Sequence, residues 1–117
     1  MTEAQLLAVV MRMCESRGLL HHHCRDSRYC GGYPGLPDLV ISSRHGTIFA
    51  ELKSATGDLA PQQNRWAWSL RASREQWHLW RPIDLADGTI QDALDYLAGD
   101  GEDPWHDCTD TSMEDAA

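Results

Sequence analysis

The sequence predicts an α/β fold (α+β, a mixed sheet flanked by helices) with its elements in the order α-β-β-β-α-β-α. Three observations lead there. Apolar residues recur at helical spacing in three separate segments, and short runs rich in strand formers lie between them. Helices interposed between strands favour a sheet covered by helices over a bundle or a sandwich. At 117 residues, 42% hydrophobic and 24% charged, the chain suits one compact domain with a single core.

Thr2 with Gln5 forms a capping-box pattern, and Leu6, Val10, Met13 and Cys14 follow at helical spacing until Gly18 supplies a stop, predicting a helix over residues 3–17. Residues 19–24 read as a short strand. Residues 25–37 hold three glycines and two prolines without any period, and read as a loop. Asp38-Leu39-Val40-Ile41-Ser42 and Thr47-Ile48-Phe49-Ala50-Glu51-Leu52-Lys53 are rich in strand formers and flank Ser43-Arg44-His45-Gly46, which predicts a β-hairpin beginning after Pro37. Pro61 starts a second helix in which Gln63, Trp66, Ala67 and Leu70 share a face. Residues 76–81 form a strand ended by Pro82. Thr89 with Asp92 looks like a further cap, and Ile90, Ala93, Leu94 and Leu97 make a last helix stopped by Gly99.

The formal charge of −8 is unevenly placed, since residues 99–117 carry seven acids and no Lys or Arg, leaving 11 acids against 10 bases in residues 1–98. A generic basic coat for nucleic acid is excluded, although a near-neutral body can still present local basic surface. Residues 99–117 are expected to be a disordered acidic tail. The four cysteines, Cys14, Cys24, Cys30 and Cys108, lack a disulfide-framework spacing, so reduced thiols are expected. With no run of about 18 apolar residues and no basic, apolar leader, the sequence predicts a soluble, cytoplasmic protein with no membrane partner.

Chemistry concentrates in the hairpin. Period-two alternation puts Glu51 and Lys53 on one face. A two-residue turn at Arg44-His45 pairs Asp38 with Glu51, and one at His45-Gly46 pairs Asp38 with Lys53; both registers bring all three to one face. A three-residue turn would need a bulge to do so. Two carboxylates at a strand edge are hard oxygen ligands suited to Mg²⁺ or Mn²⁺, and a neighbouring amine can orient or deprotonate an attacking water, as phosphodiester hydrolysis requires. Lys53 is the only lysine among the ten basic residues, and lysine can surrender a proton where arginine cannot.

Taken in order, Gly35-x-Pro37-Asp38, Phe49-Ala50-Glu51-Leu52-Lys53, Gly57-x-Leu59-x-Pro61-x-Gln63-x-x-Trp66 and Trp80-Arg81-Pro82-x-Asp84 resemble the VRR-NUC family of the PD-(D/E)xK nuclease superfamily. The match is nearest the small stand-alone phage and bacterial members and spans roughly residues 2–97. The resemblance implies a PD-(D/E)xK restriction-endonuclease-like core, a VRR-NUC-like nuclease domain over residues 1–98, and a host-cytoplasmic location for a phage-encoded chain. It implies a metal-dependent DNA endonuclease using Mg²⁺ or Mn²⁺ that leaves 5′-phosphate and 3′-hydroxyl ends. Branched DNA, such as the Holliday junctions met in recombination and repair, is the implied partner, with the enzyme acting as a homodimer. Asp38 and Glu51 would be metal ligands, joined by Glu3 and the Leu52 backbone carbonyl; Lys53 would be the catalytic lysine and Gln63 a supporting helix glutamine. Two departures stand out: Ala60 where the family usually has Ser or Thr, and Arg74-Glu75 where it usually has a glycine turn.

His22 (or its neighbour His23), Arg25, Arg28, Arg44 and Arg65 are candidate DNA contacts, Arg65 as part of an exposed helix face with Trp68 and Arg71 and the others for their expected closeness to the site. The run His21-His22-His23 with Cys24 and Cys30 invites a zinc reading, which its spacing does not favour. A catalytically silent DNA-binding or regulatory module on the same fold, and a metal-stabilised adaptor, are the competing readings.

Overall fold

A computed structural model describes residues 1–24 and 31–99. Arg25, Arg28, Cys30 and the acidic segment 100–117 lie outside the described residues. The elements run α1 (Glu3–Ser16), β1 (Leu20–His23), β2 (Leu39–Ser43), β3 (Gly46–Leu52), α2 (Pro61–Ala72), β4 (Gln76–Trp80), α3 (Pro82–Ala86) and α4 (Thr89–Ala98). The sheet has the order β1-β2-β3-β4, with the first three strands antiparallel and β4 parallel to β3. The parallel pair needs a crossover, and α2 supplies it.

Strand alternation sorts the core into two. Leu39, Ile41, Ile48, Ala50 and Leu52 face α1 and α4, meeting Leu6, Val10 and Cys14 from the first helix and Ile90, Leu94 and Leu97 from the last. On the other face Trp77 meets Ala67 and Leu70 of α2, with Phe49, Leu59, Trp66 and Leu79 partly buried around them. The result is the predicted mixed sheet with helices on both sides. Among the described residues no helix is long and apolar enough to cross a membrane.

Local chemistry explains the helix starts. The Thr2 hydroxyl accepts from the Gln5 backbone N–H at 3.1 Å while Gln5 Oε1 accepts from Thr2 N–H at 2.8 Å, a complete capping box. At the far end of α1, Arg17 meets Asp95 of α4 at 2.8 Å and ties the two helices of the larger core together.

Three expectations need correction. The chain after Trp80 is not merely a strand end: Pro82 occupies the first turn of α3, and Asp84 Oδ2 accepts from Arg81 N–H at 2.8 Å to start it. Thr89 does not cap the last helix; Gly88 is the N-cap residue, and Asp87 Oδ1 accepts from Thr89 N–H at 2.9 Å. Cys14 is a free, buried thiol as expected, but Cys24 is disulfide-bonded.

Candidate active site

The hairpin register decides the site. Ser43 pairs with Gly46 and Leu39 with Ala50, so the turn is Arg44-His45, and Asp38 stands opposite Glu51 one step beyond the ladder. There each strand's backbone holds the other strand's carboxylate. Asp38 Oδ2 accepts from Leu52 N–H at 2.8 Å, and Glu51 Oε2 accepts from Asp38 N–H at 3.2 Å.

This clasp leaves Glu51 electrostatically unfinished. Its side chain is 1% exposed, and Oε1 is buried without a hydrogen-bond partner. Burial, then the adjacent Asp38 charge and hydrogen bond, push the Glu51 pKa up to about 8, against the opposing pull of Lys53. Two carboxylates with an orphaned buried oxygen form a site short of positive charge, and the hard oxygen donors of Asp38 and Glu51 fit a divalent cation of the Mg²⁺ or Mn²⁺ type.

Asp38 is positioned from α2. The Gly35 backbone has φ +95° and lies so close to the helix that a Cβ there would come within 2.6 Å of the Gln62 carbonyl carbon. Only glycine accommodates both the conformation and the approach. Trp66 Nε1 donates to the carbonyls of Pro34 at 3.0 Å and Tyr33 at 3.3 Å, and Pro37 is fully buried, so the segment entering Asp38 is bolted to the helix.

Lys53 follows β3 directly. Its backbone N–H donates to Trp80 O at 3.0 Å, which extends the β3–β4 pairing by one residue and sets the lysine on the face of Glu51. Beyond it, Arg81 Nη1 donates to Ser54 O and Gly57 O, each at 2.7 Å. Gly57 packs against the lysine stem: a Cβ there would meet Lys53 Cδ at 3.5 Å. Arg81 is thus a positioning residue for the lysine loop. Its signal in the sequence was the Trp80-Arg81-Pro82 string, but its partners lie 24 and 27 residues away and follow no local pattern.

A cleft of about 310 Å³ opens beside Asp38, lined by Glu3, Ala4, Leu7, His23, Asp38 and Leu52. Glu3 therefore shares the cleft with Asp38. Of the two histidine candidates His23 also lines it, its Nδ1 lying 3.0 Å from Asp38 O. His22 is exposed and pairs with Val40. Which histidine turns inward depends on the β1–β2 register, which the run of three histidines does not reveal. Cys24, being disulfide-bonded, has no thiolate to offer a zinc ion.

The other candidates fall in different places. Gln63 Oε1 accepts from Ala60 N–H at 2.8 Å, supporting a helix start where Ala60 has no side-chain acceptor of its own. Arg65 is exposed on α2, its guanidinium 5.4 Å from the Tyr33 ring centroid. Arg44 requires correction: it sits in the hairpin turn, six residues from Asp38 along the strand, or about 20 Å at the rise of a β-strand. The antiparallel ladder puts the turn and the carboxylates at opposite ends of the sheet.

Among solved structures the chain is similar to a VRR_NUC domain protein, with a TM-score of 0.61 and 22% sequence identity over 82% of this chain and 90% of that one. At that identity the likeness establishes a shared fold. No family model matches the sequence, and no curated protein matches it.

Proposed function

We propose that this chain is a Mg²⁺- or Mn²⁺-dependent DNA endonuclease that hydrolyses phosphodiester bonds, selects branched DNA such as a four-way junction, and works as a homodimer. One observation carries the reading: the Asp38–Glu51 clasp, with the buried Glu51 Oε1 left unpartnered, beside the single lysine of the chain. The fold shared with a VRR_NUC domain protein and the ordered set of motifs support it.

Asp38 and Glu51 would hold the cation, joined by Glu3 and the Leu52 carbonyl. When bound, a divalent ion supplies Lewis-acid polarisation of the phosphoryl oxygen and lowers the pKa of water. Lys53 positions the attacking water, whose proton passes to solvent. The water oxygen forms the new bond to phosphorus as the bond to the 3′ oxygen breaks, and the departing 3′ alkoxide takes a proton from solvent, giving a 5′-phosphate and a 3′-hydroxyl. Arg81 and Gly57 hold the lysine loop; Gly35 and Trp66 hold Asp38. The homodimer suits the substrate, since a body of this size covers little DNA and a branched substrate presents paired scissile bonds.

The test is cleavage of a labelled four-way junction and its matched linear duplex with Mg²⁺, with Mn²⁺ and with chelator, using wild type and Lys53→Ala. Metal-dependent cutting with junction preference is expected, reduced at least about 100-fold in Lys53→Ala without loss of fold. Cutting in chelator, or full activity in the variant, refutes the mechanism. Junction binding without cutting in either metal turns the assignment to a silent DNA-binding module. Sedimentation as a monomer at micromolar concentration removes the dimer.

A further inference from the structure

The outward face of α2 carries an exposed aromatic and cationic stripe. While Ala67 and Leu70 pack on the sheet, Asn64, Arg65, Trp68, Arg71 and Ala72 recur at helical spacing on the other side. Trp68 is 75% exposed, and Tyr33, which the Trp66 hydrogen bond holds against the helix, is 51% exposed. A depression of about 650 Å³ lined by Tyr33, Asn64, Arg65 and Trp68 adjoins one of about 640 Å³ lined by Asn64, Trp68 and Arg71. The guanidinium of Arg65 lies over Tyr33, and that of Arg71 lies 4.7 Å from the Trp77 ring centroid, so both cations are held at this surface.

Charge indicates the occupant. Helix α2 has two arginines and no acid, in a chain of net charge −8. The exposed Trp68 indole, with the half-exposed Tyr33 ring beside guanidinium groups held in place, suits unpaired nucleotides, whose bases stack on the rings while their phosphates meet the cations. A duplex keeps its base faces covered and gains only the phosphate contacts. A second copy docking through the same face by two-fold symmetry would set the arginines of one copy against those of the other. Tyr33 lies five residues before Asp38, hence within about 18 Å of it, a span of about five base steps at 3.4 Å.

From this we infer that the Tyr33–Arg65–Trp68–Arg71 face is a binding platform for a single-stranded segment of DNA next to the cleavage site. The inference rests on the nuclease reading for its choice of DNA.

The test measures binding of a short, fluorescently labelled oligo-dT and of a duplex of equal length to the full chain in chelator, where cleavage plays no part. Trp68→Ala is expected to weaken oligo-dT binding about ten-fold or more, Trp68→Phe to keep most of it, and the duplex to change by less than about three-fold. Arg65→Ala is expected to reduce the slope of log affinity against log salt by about 0.7. Failure of wild type to bind oligo-dT, unchanged affinity in Trp68→Ala, or an equal loss for duplex overturns the inference. So does conversion of a dimer to a monomer by Trp68→Ala, which would assign the face to a second copy. If the platform behaves as expected but no metal supports cutting, the nuclease reading fails alone; if cutting occurs and Trp68→Ala changes no binding, the platform fails alone.

Discussion

The two faces of the sheet are packed to different degrees. Toward α1 and α4 the sheet is dry and closed: Leu6, Val10, Leu39, Ile41, Ile48, Ala50, Ile90, Leu94 and Leu97 have no exposed surface. Toward α2 only Ala67, Leu70 and Trp77 are buried as a core, and at the edge of that face stands Glu51, the one buried polar or charged residue among the described residues. Each large aliphatic side chain of the first face contributes about 1.5–3 kcal/mol by burial, whereas a buried carboxylate beside another opposes folding until a cation joins it. The dry packing lies on one side of the strands and the buried carboxylate on the other, and the two meet at the end of the hairpin, where Glu3 of α1 shares the cleft with Asp38.

That contrast can be broken most strongly from the closed side. Leu94→Ala is expected to destabilise the protein by about 2–5 kcal/mol, seen as a lower midpoint in urea, while metal-dependent cleavage below the transition stays near wild type. Loss of cleavage in a protein that is still folded would show that the two faces are not separable.

Gly35→Ala strikes the junction of α2 and Asp38. The added Cβ meets the Gln62 backbone at 2.6 Å on a residue with φ +95°, a cost of about 1–3 kcal/mol. Because Asp38 lies three residues on, cleavage is expected to fall further than stability does. Equal activity in a folded variant would mean that the bolt to the helix does not position the carboxylate.

The mildest probe sharpens the comparison through pH. The folded Glu51 pKa of about 8 lies above its ordinary value of 4.5, so protonated Glu51 is the form the metal-free fold prefers. Its contribution to stability is complete below about pH 4.5 and is lost as pH rises through about 8. Glu51→Gln, which keeps an acceptor for Asp38 N–H, is therefore expected to match wild type below about pH 4.5 and to exceed it by a margin that grows as pH rises toward about 8, read as a higher Tm. Saturating Mg²⁺ is expected to close that gap by stabilising wild type alone. A Tm difference that does not change with pH would remove the strain assigned to the carboxylate pair.

Much of this was legible before the structure. Helical spacing in α1, the Pro61 start of α2 and the strand-forming residues around the hairpin located the main elements. Asp38, Glu51 and Lys53 were legible because alternation puts them on one face in either short-turn register. The misreadings share a cause. Helix α3 is five residues long, too short for a period, so Pro82 read only as a strand terminator. Arg44 seemed near the carboxylates because it is near them in the chain, and an antiparallel ladder turns that nearness into the length of a strand. Arg81 went unassigned because it works across 24 and 27 residues of chain.

What the sequence determined by itself is therefore local or periodic: element type, the face each residue occupies, and the identity of the three groups that carry the proposed chemistry. The tertiary structure alone decided the register that sets Asp38 opposite Glu51, the histidine that turns into the cleft, the approach at Gly35 that leaves no room for a side chain, and the orphaned oxygen of Glu51. Each of these depends on which backbone lies against which, and that is settled by the packing of the whole core rather than by any segment's own preference.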